Sequence, residues 1–198
     1  MLAIGIMSGT SLDGVDACLV EIKKGKKSKF NLVHFTYVPY DKELKNRILS
    51  VASNKPCTIQ TICSLNVEIS KAYVNAVKRL LKNAKVNIKE IEFIAMHGQT
   101  VWHNPDGKDN YESSTLQLGD PSVLAAAFNI KIISNFRTMD MACGGGGAPL
   151  VPFANYILYS SKKESIALQN IGGISNVTYL AKNGELNDII AFDTGPGN

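Results

Sequence analysis

Residues 4–22 read IGIMSGTSLDGVDACLVEI: an apolar run, a small polar turn and a second, alternating run. Leu2 to Met7 is short, apolar and rich in strand formers, and Val15 to Ile22 alternates apolar and polar side chains as a half-buried strand does. The pair predicts a β-hairpin with Ser8 to Gly14 as its turn. Gly9 and Gly14 permit positive φ and close approach of a ligand to the backbone, so successive N–H groups can line a concave anion site. Thr10 and Ser11 add hydroxyls, and Asp13 and Asp16 are placed to hold a hydrated Mg²⁺ beside phosphates. The same composition also describes an ordinary Ser/Gly/Asp hairpin loop. A Walker A helix is excluded, since no Lys-Ser/Thr pair follows, and the stretch holds no dinucleotide GxGxxG.

A chain of 198 residues suffices for one large domain, or one domain and part of another. Hydrophobic content of 45% and a charged fraction of 19% are those of an ordinary globular protein. Much of the net charge of +4 comes from Lys23, Lys24, Lys26, Lys27 and Lys29 around Gly25. That cluster reads as a solvated hairpin tip; with no aromatics interleaved, a nucleic-acid partner is not expected. The four cysteines are scattered, without CxxC or zinc spacing. With no basic leader and no apolar run of membrane-spanning length, a cytoplasmic protein without a membrane partner is expected.

Further along, Phe30 to Tyr37 predicts a third strand, and Asp41 opens a helix through about Ala52. Thr58 caps a longer helix whose Ile62, Leu65, Ile69, Tyr73, Ala76, Val77 and Leu80 form one apolar face. Ile91 to Met96 predicts a fourth strand delivering His97-Gly98-Gln99-Thr100 into a binding loop that Trp102 to Pro105 continue. Thr115 to Leu118 is a short strand, Asp120-Pro121 starts a helix to Phe128, and Lys131 to Ser134 is a fifth main strand. A glycine loop, 144–147, precedes a helix ending near Tyr159. Strands at Ile166 to Ile171, Asn176 to Leu180 and Leu186 to Phe192, with the Asn183-Gly184 turn, form a second sheet. The expected boundaries are 1–162 and 163–198.

Among polar candidates, Arg137 offers a planar guanidinium for a carboxylate or phosphate, or else pairs with Asp140. His97 and His103 suit proton transfer or hydrogen bonding to hydroxyls, with a structural role the alternative for each. Gln99 beside His97 suggests polar recognition. Gly172-Gly173 offers a second backbone turn for phosphate. Asp193, in a run ending Thr-Gly-Pro-Gly-Asn198, suits a general base or an Asx-turn.

Taken together, MSGTSLDGVD, HGQTVWH, FRxxDxAxGG with GAPLVP, NIGGISNVTYL and FDTGPGN resemble, in order and spacing, the motifs of the anhydro-N-acetylmuramic acid kinases. The resemblance runs from Ile4 to Asn198; Gly146 departs from it, since the family usually has Gln there. It implies an α/β fold of the actin, Hsp70 and sugar-kinase type: one RNase-H-like domain followed by the first strands of a second, incomplete one. It also implies ATP-dependent opening and 6-phosphorylation of 1,6-anhydro-N-acetylmuramic acid in cell-wall recycling. In that reading Gly9, Thr10, Ser11, Leu12, Asp13, Gly14, Val15 and Asp16 hold ATP, with Asp13 a Mg²⁺ ligand. His97, Gln99 and Arg137 contact the amino sugar, and Asp193 activates water. Either a homodimer or a missing C-terminal half is the expected complement. Two other readings stay open: a non-catalytic half-protein or sugar-binding remnant, and an actin- or Hsp70-like ATPase.

Overall fold

The strand Leu2–Ser8 (β1) pairs antiparallel with Gly14–Lys23 (β2), from Leu2 opposite Glu21 to Met7 opposite Asp16, so the hairpin expected from the sequence forms with its turn at 9–13. The computed structural model describes residues 1–23, 25, 29–53 and 55–197; Lys24, Lys26 and Lys27 of the basic cluster, and Asn198 of the last motif, lie outside them. Two compact units divide the chain, Met1–Met139 and Asp140–Asn198. The boundary expected after residue 162 falls inside the second.

In the first unit, Lys29–Pro39 (β3) continues the meander on β2. On its other side β1 pairs in parallel with Ile91–Asn104 (β4), which carries Ser114–Leu118 (β5) antiparallel and Lys131–Ile133 (β6) parallel. The result is a mixed sheet in an α/β fold, with order β3-β2-β1-β4-β5 and β6 on β4. Parallel neighbours cannot be joined by a tight turn. Here two helices span the gap, Lys42–Ala52 (α1) and Ile59–Ala84 (α2). Their starts are set by side-chain caps: Asp41 accepts from the Leu44 N–H at 2.8 Å and Thr58 from the Thr61 N–H at 3.3 Å. Asp120 likewise caps Pro121–Phe128 (α3).

The predicted apolar face of α2 is the centre of the core. Leu65, Ile69, Tyr73, Ala76, Val77 and Leu80 are fully buried and belong to one cluster with Ile4 and Ile6 of β1, Val15, Ala17 and Leu19 of β2, and Ile94 and Met96 of β4. Each fully buried Leu or Ile contributes roughly 1.5–3 kcal/mol from burial. Among the described residues no helix is long and apolar enough to cross a membrane.

Three features differ from the sequence reading. His97 to Asn104 are not a loop: they continue β4, because Thr100, Val101 and Trp102 are strand formers and β5 supplies their hydrogen-bonding partners. Gly98, at φ +84°, gives that long strand an irregular point that a side chain would strain. Next, Phe136–Ala142, to which the sequence assigned no element, is a helix (α4), begun after Asn135 in the left-handed conformation. Finally, Leu186–Asp188 is a single helical turn closed by the Glu185 N–H on the Asp188 carboxylate, so the last strand begins later, at Ile190.

In the second unit, Val151–Tyr159 (α5) precedes the meander of Ile166–Ile171 (β7), Ile174–Leu180 (β8) and Ile190–Pro196 (β9). The Asn183-Gly184 turn forms as expected, with Asn183 at φ 55°. The helix expected to end near Tyr159, placed before the expected boundary, reaches β8 through Asn155 Nδ2, which donates to Thr178 Oγ1 at 3.1 Å.

Gly14 is small for a steric reason. A Cβ there would lie 2.4 Å from the Val38 carbonyl oxygen and 2.7 Å from Pro39 Cα, both backbone atoms of β3. Gly14→Ala is therefore expected to destabilise the first unit by about 1–3 kcal/mol, as overpacking does. A urea titration should show a lower midpoint with unchanged slope; an unchanged midpoint would mean that β2 and β3 separate freely here.

Candidate functional site

The hairpin turn is held by its carbonyls. The Gly9 carbonyl accepts from the Leu12 N–H at 3.2 Å and from Gln99 Nε2 at 3.0 Å. The Asp13 carbonyl accepts from the Tyr40 N–H at 3.1 Å and the Tyr37 hydroxyl at 2.9 Å. The left-handed residue is Leu12, at φ 54°, where the sequence suggested Gly9 or Gly14, neither of which has positive φ. Leu12 tolerates that conformation because its side chain is anchored in the core.

These tethers leave Thr10, Ser11 and Asp13 exposed, with Gly14 and Val15 buried behind them. Ser11 Oγ donates to Asp13 Oδ1 at 2.9 Å. Asp16 is exposed on β2, and its carboxyl is raised above the usual range, first by partial desolvation and second by the Asp13 charge. Two carboxylates that repel each other beside outward hydroxyls suit a hydrated divalent cation, which takes one or two protein carboxylates with phosphate oxygens. Among the described residues no group of three or more His, Cys, Asp or Glu is arranged to hold a metal. The donor set thus fits Mg²⁺ shared with phosphates better than a closed all-protein metal cage.

Gln99, read from the sequence as a sugar contact, is wholly buried under this turn and also accepts from the Tyr40 hydroxyl at 3.4 Å. His97 faces the other side of the sheet, where a cavity of about 260 Å³ is lined by Met7, Asp16, Cys18, Phe35, His97 and Phe136 among others. Arg137, on α4, donates from Nε to His97 Nε2 at 2.9 Å, while His97 Nδ1 lies 2.8 Å from the Gly98 carbonyl. The two bonds define one tautomer: Nδ1 carries the proton and Nε2 accepts. Burial lowers the His97 pKa, the Gly98 bond opposes that, and the Arg137 charge lowers it further. His103 is exposed and bonded through Nδ1 to Thr115 Oγ1 at 3.1 Å.

The second unit contains Asp193, exposed in β9 opposite Asn176. The strand continues past it to Pro196, where a turn was expected directly after Asp193, and Gln169 Nε2 donates to Thr194 Oγ1 at 3.1 Å. Asp140 organises the glycine loop: its carboxylate accepts from the Gly147 N–H at 2.7 Å and its carbonyl from the Gly145 N–H at 2.9 Å. The structure brings the turn and Gln99 together, and separately His97 and Arg137. Tyr37, Tyr40 and Tyr73, which support the turn, were missed. Tyr73 sits on the apolar stripe of α2, and nothing in that periodicity distinguishes it from an ordinary core residue.

A family model described as anhydro-N-acetylmuramic acid kinase matches residues 1–198. The anhydro-N-acetylmuramic acid kinase of Bacillus cereus (strain ATCC 10987 / NRS 248) is 49% identical over 199 residues, covering 100% of this chain and 52% of that protein. Its counterpart in Clostridioides difficile (strain 630) is 46% identical over the same length, again 100% of this chain and 52% of its own. The chain spans about half the length of the curated relatives it matches. Among solved structures, ROK hexokinase from Thermus thermophilus aligns with a TM-score of 0.41 at 14% identity, covering 91% of this chain and 47% of that one. A reductive activator for corrinoid, iron-sulfur protein aligns with a TM-score of 0.43 at 16% identity, covering 99% and 31%.

Because His97 is disfavoured as a cation when folded, the stability it contributes is complete above the ordinary value of 6.5 and declines as pH falls through the lowered folded value. Nitrogen NMR of the imidazoles should show His97 as the Nδ1–H tautomer, titrating below 6.5. Arg137→Met should move that titration upward. A His97 that titrates at the ordinary value in both proteins would contradict the geometry.

Proposed function

Because the chain belongs to the anhydro-N-acetylmuramic acid kinase family, we propose that it carries the phosphate-binding turn and the sugar-facing residues of an ATP-dependent kinase acting on 1,6-anhydro-N-acetylmuramic acid in cytoplasmic cell-wall recycling. Water adds to C1, the bond from C1 to the bridging O6 breaks, and O6 takes the γ-phosphoryl group, releasing ADP. The carrying observation is the turn itself: hydroxyls and carboxylates of Thr10, Ser11, Asp13 and Asp16 on its exposed side, backbone carbonyls tied down on the other. The order β3-β2-β1-β4, with β1 and β4 parallel, supports an RNase-H-like first domain of the actin, Hsp70 and sugar-kinase type. The second unit is read as the opening strands of another such domain, with further chain or a second copy completing the enzyme.

In this proposal Asp13 and Asp16 hold Mg²⁺, which when bound neutralises charge on the transferring phosphoryl group. Thr10 and Ser11 donate to phosphate oxygens, and backbone amides from Gly9 to Asp16 complete the cradle. Arg137 and His97 orient the sugar: a planar guanidinium suits the lactyl carboxylate, and its Nε bond to His97 fixes its direction. Asp193 accepts the proton of the attacking water, an exposed carboxylate presented on a strand. Catalysis of this type is mainly positioning and charge neutralisation.

In the assembled enzyme, Asp193→Asn should lower kcat by about 100- to 10,000-fold, the loss of a general base, with ATP affinity nearly intact. Retention of more than a third of the wild-type rate would remove Asp193 from the mechanism. Asp13→Ala should weaken Mg·ATP in isothermal titration and leave sugar binding unchanged; the reverse pattern would sink the assignment of the turn to phosphate.

A further inference from the structure

Beneath the turn runs a buried polar chain drawn from four separate elements. Tyr73, wholly buried on α2, shares a 2.5 Å hydrogen bond with Ser8 Oγ at the end of β1. The Tyr40 hydroxyl, just past β3 and electrostatically coupled to the Ser8 and Tyr73 hydroxyls, donates onward to Gln99 Oε1 at 3.4 Å. Gln99 Nε2 then donates to the Gly9 carbonyl at 3.0 Å. All four side chains are buried in a region otherwise filled by Leu, Ile and Val. Polar groups so buried are costly unless paired, and an apolar quartet would fill the same space without that demand. The chain therefore asks for a purpose at its end point.

That end point is the Gly9–Thr10 peptide. A trans peptide is planar, so its carbonyl oxygen and N–H point in opposite directions. Drawing the Gly9 oxygen inward onto Gln99 and the Leu12 N–H turns the Thr10 N–H to the opposite, exposed side of the turn. We propose that Tyr73, Tyr40 and Gln99 are positioning residues that hold the Gly9–Thr10 peptide with its N–H toward the phosphate of the bound nucleotide. This rests on reading the turn as the phosphate site, and it assigns Gln99 a role through Gly9 in place of direct contact with sugar. Helix α2 thereby sets the anion grip, although it contributes no side chain to the exposed face of the turn.

The test uses the full chain with Mg²⁺ and inorganic tripolyphosphate as the probe, followed by amide NMR. Tyr73→Phe and Gln99→Met remove one link each, and Ile69→Val trims the same core without touching the chain. Loss of a buried hydrogen bond should weaken the probe about tenfold in the first two variants, and Ile69→Val should leave affinity at the wild-type value while lowering stability. Exchange of the Leu12 and Tyr40 amides, which bond the Gly9 and Asp13 carbonyls, should quicken in Tyr73→Phe and Gln99→Met beyond any change in Ile69→Val. Unchanged exchange overturns the positioning role, as does unchanged affinity in a wild-type protein that binds the probe. If the wild-type turn ignores tripolyphosphate while exchange responds as expected, the phosphate reading fails and the control of the turn by Tyr73 and Gln99 stands. Should a variant not fold, Ser8→Ala breaks the Tyr73 link from the other side and is judged by the same two measurements.

Discussion

Parallel pairing of β1 with β4 is the constraint from which the first unit follows. Two parallel strands need a long crossover between them, and the chain from 40 to 90 supplies it as α1 and α2 over one face of the sheet. The register of that pairing sets Ser8 beside Gln99. Both residues are then buried beneath α2, where the Tyr73 hydroxyl meets the one and the Tyr40 hydroxyl the other. A slip of one residue would turn Gln99 to the opposite face and leave the Gly9 carbonyl without its second donor. The hairpin turn is therefore specified by a strand that lies some ninety residues further along the chain.

The two faces of β4 are divided at Gly98, whose positive φ and the register shift against β1 interrupt the alternation, so that His97 and Gln99, two residues apart, face opposite sides. Gln99 goes beneath the turn, and His97 goes toward the cavity shared with Asp16 and Phe136. There the short helix α4 supplies Arg137, whose guanidinium and the neutral imidazole lock each other's orientation. That bond sets a guanidinium charge beside a histidine held neutral by its burial and by the Arg137 charge itself.

What could be read in advance was what periodicity encodes. The alternation in β2, the third strand β3, the apolar stripe of α2, the caps at Asp41, Thr58 and Asp120 and the Asn183-Gly184 turn all form as their residues dictate. The length of β4 was hidden because His97 to Thr100 is polar and contains a glycine, so pairing with β5 decided the matter, and pairing is a non-local fact. Helix α4 has seven residues, too few to show a period. The inward direction of Gln99 was illegible for a further reason: irregularities in β4 near Ser8 and Thr100 shift the register, so the face a residue occupies cannot be counted from the start of the strand. The His97–Arg137 bond joins residues forty apart with no motif linking their spacing.

Leu12 carries a consequence of another kind. Glycine-built turns can take up their shape in a short peptide, since no side chain opposes a positive φ. Here the left-handed residue is a leucine held in place by the assembled core. Its conformation is unfavourable until β1, β2 and α2 have docked, and those contacts join distant parts of the chain. The turn is thus among the later features to settle during folding. The finished shape of the turn therefore arrives together with the native state and is withdrawn with it.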